Sequence, residues 1–88
     1  MRYLKKYGAV WCSPCKTLDV SLNKINWEAN SIVLEKIDVD SLQKDQLKNL
    51  EIRSVPTMIL CSEDGTELSR KTGAMTPAQL TEWLNLSP

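Results

Sequence analysis

Two cysteines stand three positions apart in the stretch VWCSPCKT, residues 10–17. Cys12 and Cys15 so spaced can be a redox couple, half of a metal site, or two inert thiols. Each option needs different companions. A helix opening at Ser13-Pro14 puts Cys12 at its mouth and Cys15 one turn inside. Residues i and i+3 share a helix face, within the Cα separation of about 4.4–6.8 Å that a disulfide requires. Pro14 is harmless there, because its missing N–H is among those the first turn leaves unpaired. The unpaired N–H groups and partial positive charge of the helix start favour thiolate over thiol, lowering a cysteine pKa from about 8.5 by about one unit or more. Cys12 is therefore expected to be the exposed attacker and Cys15 the buried resolver. The Cys12 thiolate would form a mixed disulfide with a partner, and Cys15 would then attack Cys12 Sγ and release the reduced partner.

The competing readings lack their companions. A structural zinc site takes four ligands, commonly two such pairs or a pair with two histidines. This chain has no histidine and one further cysteine, Cys61, so no metal is expected. Inert thiols do not fit a helix start flanked by lysines. Cys61, in the apolar run TMILC, reads as a small buried hydrophobe.

The whole chain sets bounds on the rest. Its 88 residues, 42% hydrophobic, suffice for one compact domain over residues 1–88 with a thin core. Eleven basic residues balance eleven acidic ones, with no polybasic run, so neither nucleic acid nor a membrane surface is an expected partner. The imbalance is local: Arg2, Lys5, Lys6, Lys16 and Lys24 face Asp19 alone in residues 1–24. No stretch approaches the roughly 20 apolar residues of a membrane span. MRYLKKYGAV has no apolar segment of a signal peptide, so a cytoplasmic location is expected. In that compartment an odd set of three cysteines makes a poor disulfide framework.

The elements that must position the pair follow from periodicity. Lys5–Val10 reads as a strand, and the helix after Ser13-Pro14 shows Leu18, Leu22 and Ile25 on one side. Residues 31–39, SIVLEKIDV, read as a second strand. Asp40, with Gln43 three residues on, is expected to cap a helix presenting Leu47 and Leu50. Pro56–Leu60 is a third strand, EDG at 63–65 a hairpin turn, and Thr66–Thr72 a fourth strand. Thr76, Pro77 and Gln79 spell the start of a last helix whose stripe is Leu80, Trp83 and Leu84. Trp27 and Trp83 read as packing residues. The order β-α-β-α-β-β-α implies an α/β fold, a four-stranded mixed sheet flanked by helices on both faces. Its first two strands are parallel through a right-handed crossover and its last two form an antiparallel hairpin.

A C-x-x-C before a helix in a βαβ pattern is the redox motif of the thioredoxin-like fold. WCSPCK resembles the thioredoxin active site, with Ser13 in place of the usual glycine. Val55-Pro56-Thr57 resembles the family's cis-proline segment, and Gly73-Ala74 its glycine loop after the last strand. The resemblance covers essentially residues 3–86, and the chain is similar to the short thioredoxins of phages and some bacteria, which lack the first strand and helix of the full-length proteins. It implies that strand three lies beside strand one, which sets Pro56 against the cysteines. It also implies that residues 31–39 form a sheet edge, where Glu35, Lys36 and Asp38 discourage edge-to-edge pairing. Trp11, Ser13, Pro14, Val55, Pro56, Thr57, Gly73 and Ala74 are the substrate-binding residues it implies, with the Val55 backbone pairing to an extended peptide. The family's buried aspartate is replaced here by Lys6, and Lys36 matches the lysine that partners that aspartate. Two lysines are thus expected near each other, tuning the thiols. Lys6 would pair with a carboxylate such as Glu35 or Asp38, or favour the Cys15 thiolate directly.

By resemblance the activity is reduction of protein disulfides, with a thioredoxin-reductase-type electron donor and substrates such as ribonucleotide reductase. No cofactor beyond the Cys12–Cys15 disulfide is expected, and the protein is expected to act as a monomer in the cytoplasm of a bacterium, or of the host if phage-encoded. Proline as second inner residue accompanies the reducing members of the family. The alternatives are a disulfide oxidase or isomerase, which a high reduction potential would support, and a binding subunit indifferent to redox state.

Overall fold

A computed structural model describes residues 1–86. Along the chain run β1 (Arg2–Gly8), α1 (Ser13–Leu22), β2 (Ile32–Asp38), a 3-10 turn (Val39–Ser41), α2 (Lys44–Asn49), β3 (Thr57–Cys61), β4 (Glu67–Thr72) and α3 (Pro77–Leu86). The sheet order is β2-β1-β3-β4. β1 runs parallel to β2 and antiparallel to β3, and β3 and β4 form the antiparallel hairpin, so the mixed α/β architecture is the expected one.

β1 is displaced from the expected Lys5–Val10. Its parallel register with β2 starts at Arg2↔Ile32 and ends at Gly8↔Asp38. The chain then turns, the Cys12 N–H donating to the Ala9 carbonyl at 3.2 Å. α1 ends at Leu22, so Ile25 lies beyond it and packs against the core from the following turn.

α2 differs most from expectation. Asp40 does not cap it. Asp38 Oδ1 accepts the Asp40 N–H at 2.9 Å and holds the 3-10 turn, while Gln43 caps α2 in a box with Gln46. Leu47 packs against the core beneath α2, whereas Leu50 is the C-cap and half-exposed. Glu51 takes a left-handed φ of 56° after α2. Arg70 on β4 donates to the Leu50 and Glu51 carbonyls at 3.1 and 3.3 Å, pinning this connection to the sheet.

Alternation along the strands gives the sheet two packed faces. Leu4, Met58 and Leu60 meet Leu18 and Leu22 of α1 and Leu80, Trp83 and Leu84 of α3. Tyr7, Ile59 and Cys61 face the other way with Val39, Leu47 and Ile52. Leu4, Leu18, Leu22, Leu60 and Leu80 are wholly buried; truncating one such side chain to alanine costs about 2–5 kcal/mol. α3 begins as its sequence implies: Gln79 N–H donates to Thr76 Oγ1 at 3.1 Å, and Thr76 N–H donates to Gln79 Oε1 at 2.9 Å. The hairpin turns at Gly65, whose φ of 91° is left-handed.

Candidate active site

Cys12 is the N-cap of α1, with φ −95° and ψ 110°, and its sulfur takes the place of a capping oxygen. The Cys15 N–H donates to Cys12 Sγ at 3.2 Å, so an orphan donor of the first turn points at the sulfur. Pro14 stands at the adjacent first-turn position. Cys12 and Cys15 are joined as a disulfide with Cα atoms 5.2 Å apart. Reduced, Cys12 would be a sulfur facing a free N–H and the positive end of a ten-residue helix, which stabilise its thiolate.

Cys12 is less open than expected. It is 5% exposed and Cys15 1%, so the two differ little in burial. The cover comes from the segment before β3: Cys12 Sγ lies 3.6 Å from the Val55 carbonyl oxygen. The Val55–Pro56 peptide is cis. Pro56 is buried, and its carbonyl accepts the Gly73 N–H at 3.0 Å. Gly73 has φ 86°, a left-handed geometry that suits glycine. Strand pairing thus brings the cysteines, Val55, Pro56 and Gly73 to one end of the sheet. Trp11, Ser13, Pro14 and Ala74 are exposed there, Trp11 at 66%, and Val10 adds an apolar side chain that sequence reasoning passed over. Thr57 sits behind this surface, buried, its hydroxyl donating to the Ser54 carbonyl at 2.6 Å.

Two further residues join the site, neither of them expected there from the sequence. Asp40 Oδ2 accepts the Trp11 Nε1–H at 2.9 Å across 29 positions of sequence. The other is Asp19. Lys6 is buried at 6% exposure, and its partner is neither Glu35 nor Asp38: Lys6 Nζ lies 3.0 Å from Asp19 Oδ1. Lys36 Nζ reaches the same oxygen at 3.5 Å, so the two lysines do meet, over a shared carboxylate. The reason is geometric. Lys6 points to the sheet face that α1 covers, and Asp19 is one turn beyond Cys15 on that helix, whereas Glu35 and Asp38 belong to the neighbouring strand.

Cys61 is a free, buried thiol, and burial raises its pKa above the ordinary value. Among the described residues no group of three or more Cys, His, Asp or Glu side chains could hold a metal ion. Nor is any described helix long and apolar enough to cross a membrane.

The thioredoxin family model matches residues 2–86. Over 82 residues the chain is 33% identical to a thioredoxin of Chlamydia pneumoniae, covering 93% of this chain and 78% of that one. A Mycobacterium bovis thioredoxin is 35% identical over 83 residues, covering 93% and 70%. Among solved structures, the germline-specific thioredoxin Deadhead of Drosophila melanogaster superposes with a TM-score of 0.80 at 26% identity, covering 96% of this chain and 78% of that one. A Halobacterium salinarum thioredoxin variant gives a TM-score of 0.81 at 26% identity, covering 96% and 72%.

Proposed function

Because the chain belongs to the thioredoxin family and is a thiol–disulfide oxidoreductase acting through Cys12 and Cys15, we propose that Cys12 is the attacking and Cys15 the resolving sulfur of a general protein-disulfide reductase. Family membership carries with it an electron donor of the thioredoxin-reductase type and disulfide-bearing protein substrates. The carrying observation is the Cys15 N–H directed at Cys12 Sγ from the first turn of α1. A sulfur so placed ionises readily, attacks a partner disulfide and is freed when its neighbour attacks it in turn.

The proposal extends to the surface. Trp11, Ser13, Pro14, Val55, Pro56, Gly73 and Ala74 receive an extended segment of the partner around its disulfide, with Thr57 supporting from behind. Lys6 and Lys36 tune the thiols. A ribonucleotide reductase is a substrate of the kind proposed, handled by a monomeric single domain over residues 1–88, in the cytoplasm, with the disulfide itself as redox group. Pro14 between the cysteines favours reduction over oxidation or isomerisation in this reading.

Reduction of insulin by dithiothreitol, with and without the protein, tests it. Wild type should accelerate the reaction, and Cys12→Ser/Cys15→Ser should not. A wild type that accelerates the reaction no more than the double variant would contradict this reading and leave a redox-independent binding role.

A further inference from the structure

Asp19 Oδ1 is buried yet takes no hydrogen bond in good alignment, and it is held by charge from Lys6 Nζ and Lys36 Nζ. An ion pair so placed, with one partner almost wholly buried, is expensive to desolvate and weak evidence for a stabilising role. Its surroundings suggest a chemical one. A Cβ on Gly8 would stand 2.7 Å from Lys6 Nζ and 3.3 Å from Cys15 Sγ, so ammonium and sulfur border one notch that the bare glycine leaves open. From there an open cleft of about 520 Å³ leads outward between Lys6, Gly8, Lys16, Asp19, Lys36 and Asp38. Cys15 must lose a proton before it can attack, and it is 1% exposed.

Building on the assignment of Cys15 as resolving sulfur, we propose that Asp19, acting through Lys6, takes the Cys15 proton in the resolving step. In the mixed disulfide Cys12 Sγ is bonded to the partner's sulfur and Cys15 is a thiol. Cys15 gives its proton to Lys6 Nζ as Lys6 passes one of its own to Asp19, so the ammonium is unchanged and the carboxylate becomes a carboxylic acid. The Cys15 thiolate attacks Cys12 Sγ. The Cys12–Cys15 bond forms, the bond to the partner breaks, and the partner leaves as a thiolate, reduced by the two electrons the protein dithiol loses. Asp19 returns its proton to water through the cleft. The charged groups around Asp19 are Lys6 from β1, Lys36 and Asp38 from β2, and Lys16 from its own helix.

Stopped-flow mixing of the reduced protein with a chromogenic aromatic disulfide separates the steps, because Cys12 releases the first coloured thiolate and Cys15 the second. Asp19→Asn should leave the first release within about twofold and slow the second by about a hundredfold at neutral pH, the lower end of what a positioned general base contributes. The slowed step should then climb with pH until the thiol ionises unaided. Asp19→Glu should recover most of the rate, and exposed Asp45→Asn should change neither phase. Should Asp19→Asn fail to fold with Lys6 left unpaired, Lys6→Met/Asp19→Asn removes both charges, and it should show the same slow second release. An unchanged second release in these variants, or a slower one with the wild-type pH profile, overturns the role of Asp19. Absence of the first release in wild type would instead refute the assignment of Cys12, a separate result.

Discussion

Trp11 Nε1 donates to Asp40 Oδ2 across 2.9 Å, tying the residue before Cys12 to the 3-10 turn that follows β2. The indole itself is 66% exposed, so this bond, not burial, fixes its position at the rim of the site. Asp40→Ala removes a bond worth about 0.5–1.5 kcal/mol net. Thermal stability should drop by no more than that. The rate of insulin reduction should fall by about threefold, the kinetic equivalent of well under 1.4 kcal/mol in recognition. Indole N–H exchange in the variant checks the cause: faster exchange with an unchanged reduction rate would show that Trp11 needs no fixing.

Gly8 is where the fold and the thiol chemistry meet. A methyl group there would press on Lys6 Nζ at 2.7 Å, Lys6 Cε at 2.9 Å and Cys15 Sγ at 3.3 Å. Lys6 is flexible but confined by Asp19, so Gly8→Ala should destabilise by about 1–3 kcal/mol, as overpacking does. The urea midpoint reads that loss, and alkylation of Cys15 across pH should shift with the displaced ammonium. A variant as stable as wild type would mean that Lys6 moves aside without resistance.

Acid should weaken the β3–β4 hairpin first. The Ser62 hydroxyl, then the Thr66 N–H, hold the Asp64 carboxyl down to about 2 from 3.8. Glu67 is lowered from 4.5, chiefly by its hydrogen bond from Arg70. A carboxyl with a depressed folded pKa adds stability that is complete above its unfolded value and lost as pH falls through the folded one. The loss should therefore run from about pH 4.5 down to about pH 2. Urea midpoints across this range should fall less steeply in Asp64→Asn than in wild type; equal slopes would contradict the assignment.

What the sequence made legible was local. The cysteine pair, the Thr76–Gln79 capping box and the Asp-Gly turn each depend on residues within one turn of chain, and each formed where it was expected, although Cys12 is more buried than its place at the helix start implies. Asp40 was misread because Asp38, Asp40 and Gln43 all carry capping side chains; the choice among them was made by the turn after β2 and by Trp11, far away in sequence. Asp19 was invisible as a partner for a similar reason. Its link to Lys6 exists only once α1 lies across β1, and a strand residue shows no helical spacing to a helix residue. Arg70, which ties β4 to the end of α2, is equally a product of packing.

The most direct measurement is the pH dependence of Cys12 alkylation in Cys15→Ser, where Cys61, buried and with a raised pKa, contributes little. With the residue 15 N–H and the helix start in place, the midpoint should lie at least about one unit below the value of about 8.5 for free cysteine. A midpoint at or above that value would mean that the helix mouth does not activate the sulfur, and the assignment of Cys12 as attacker would fail.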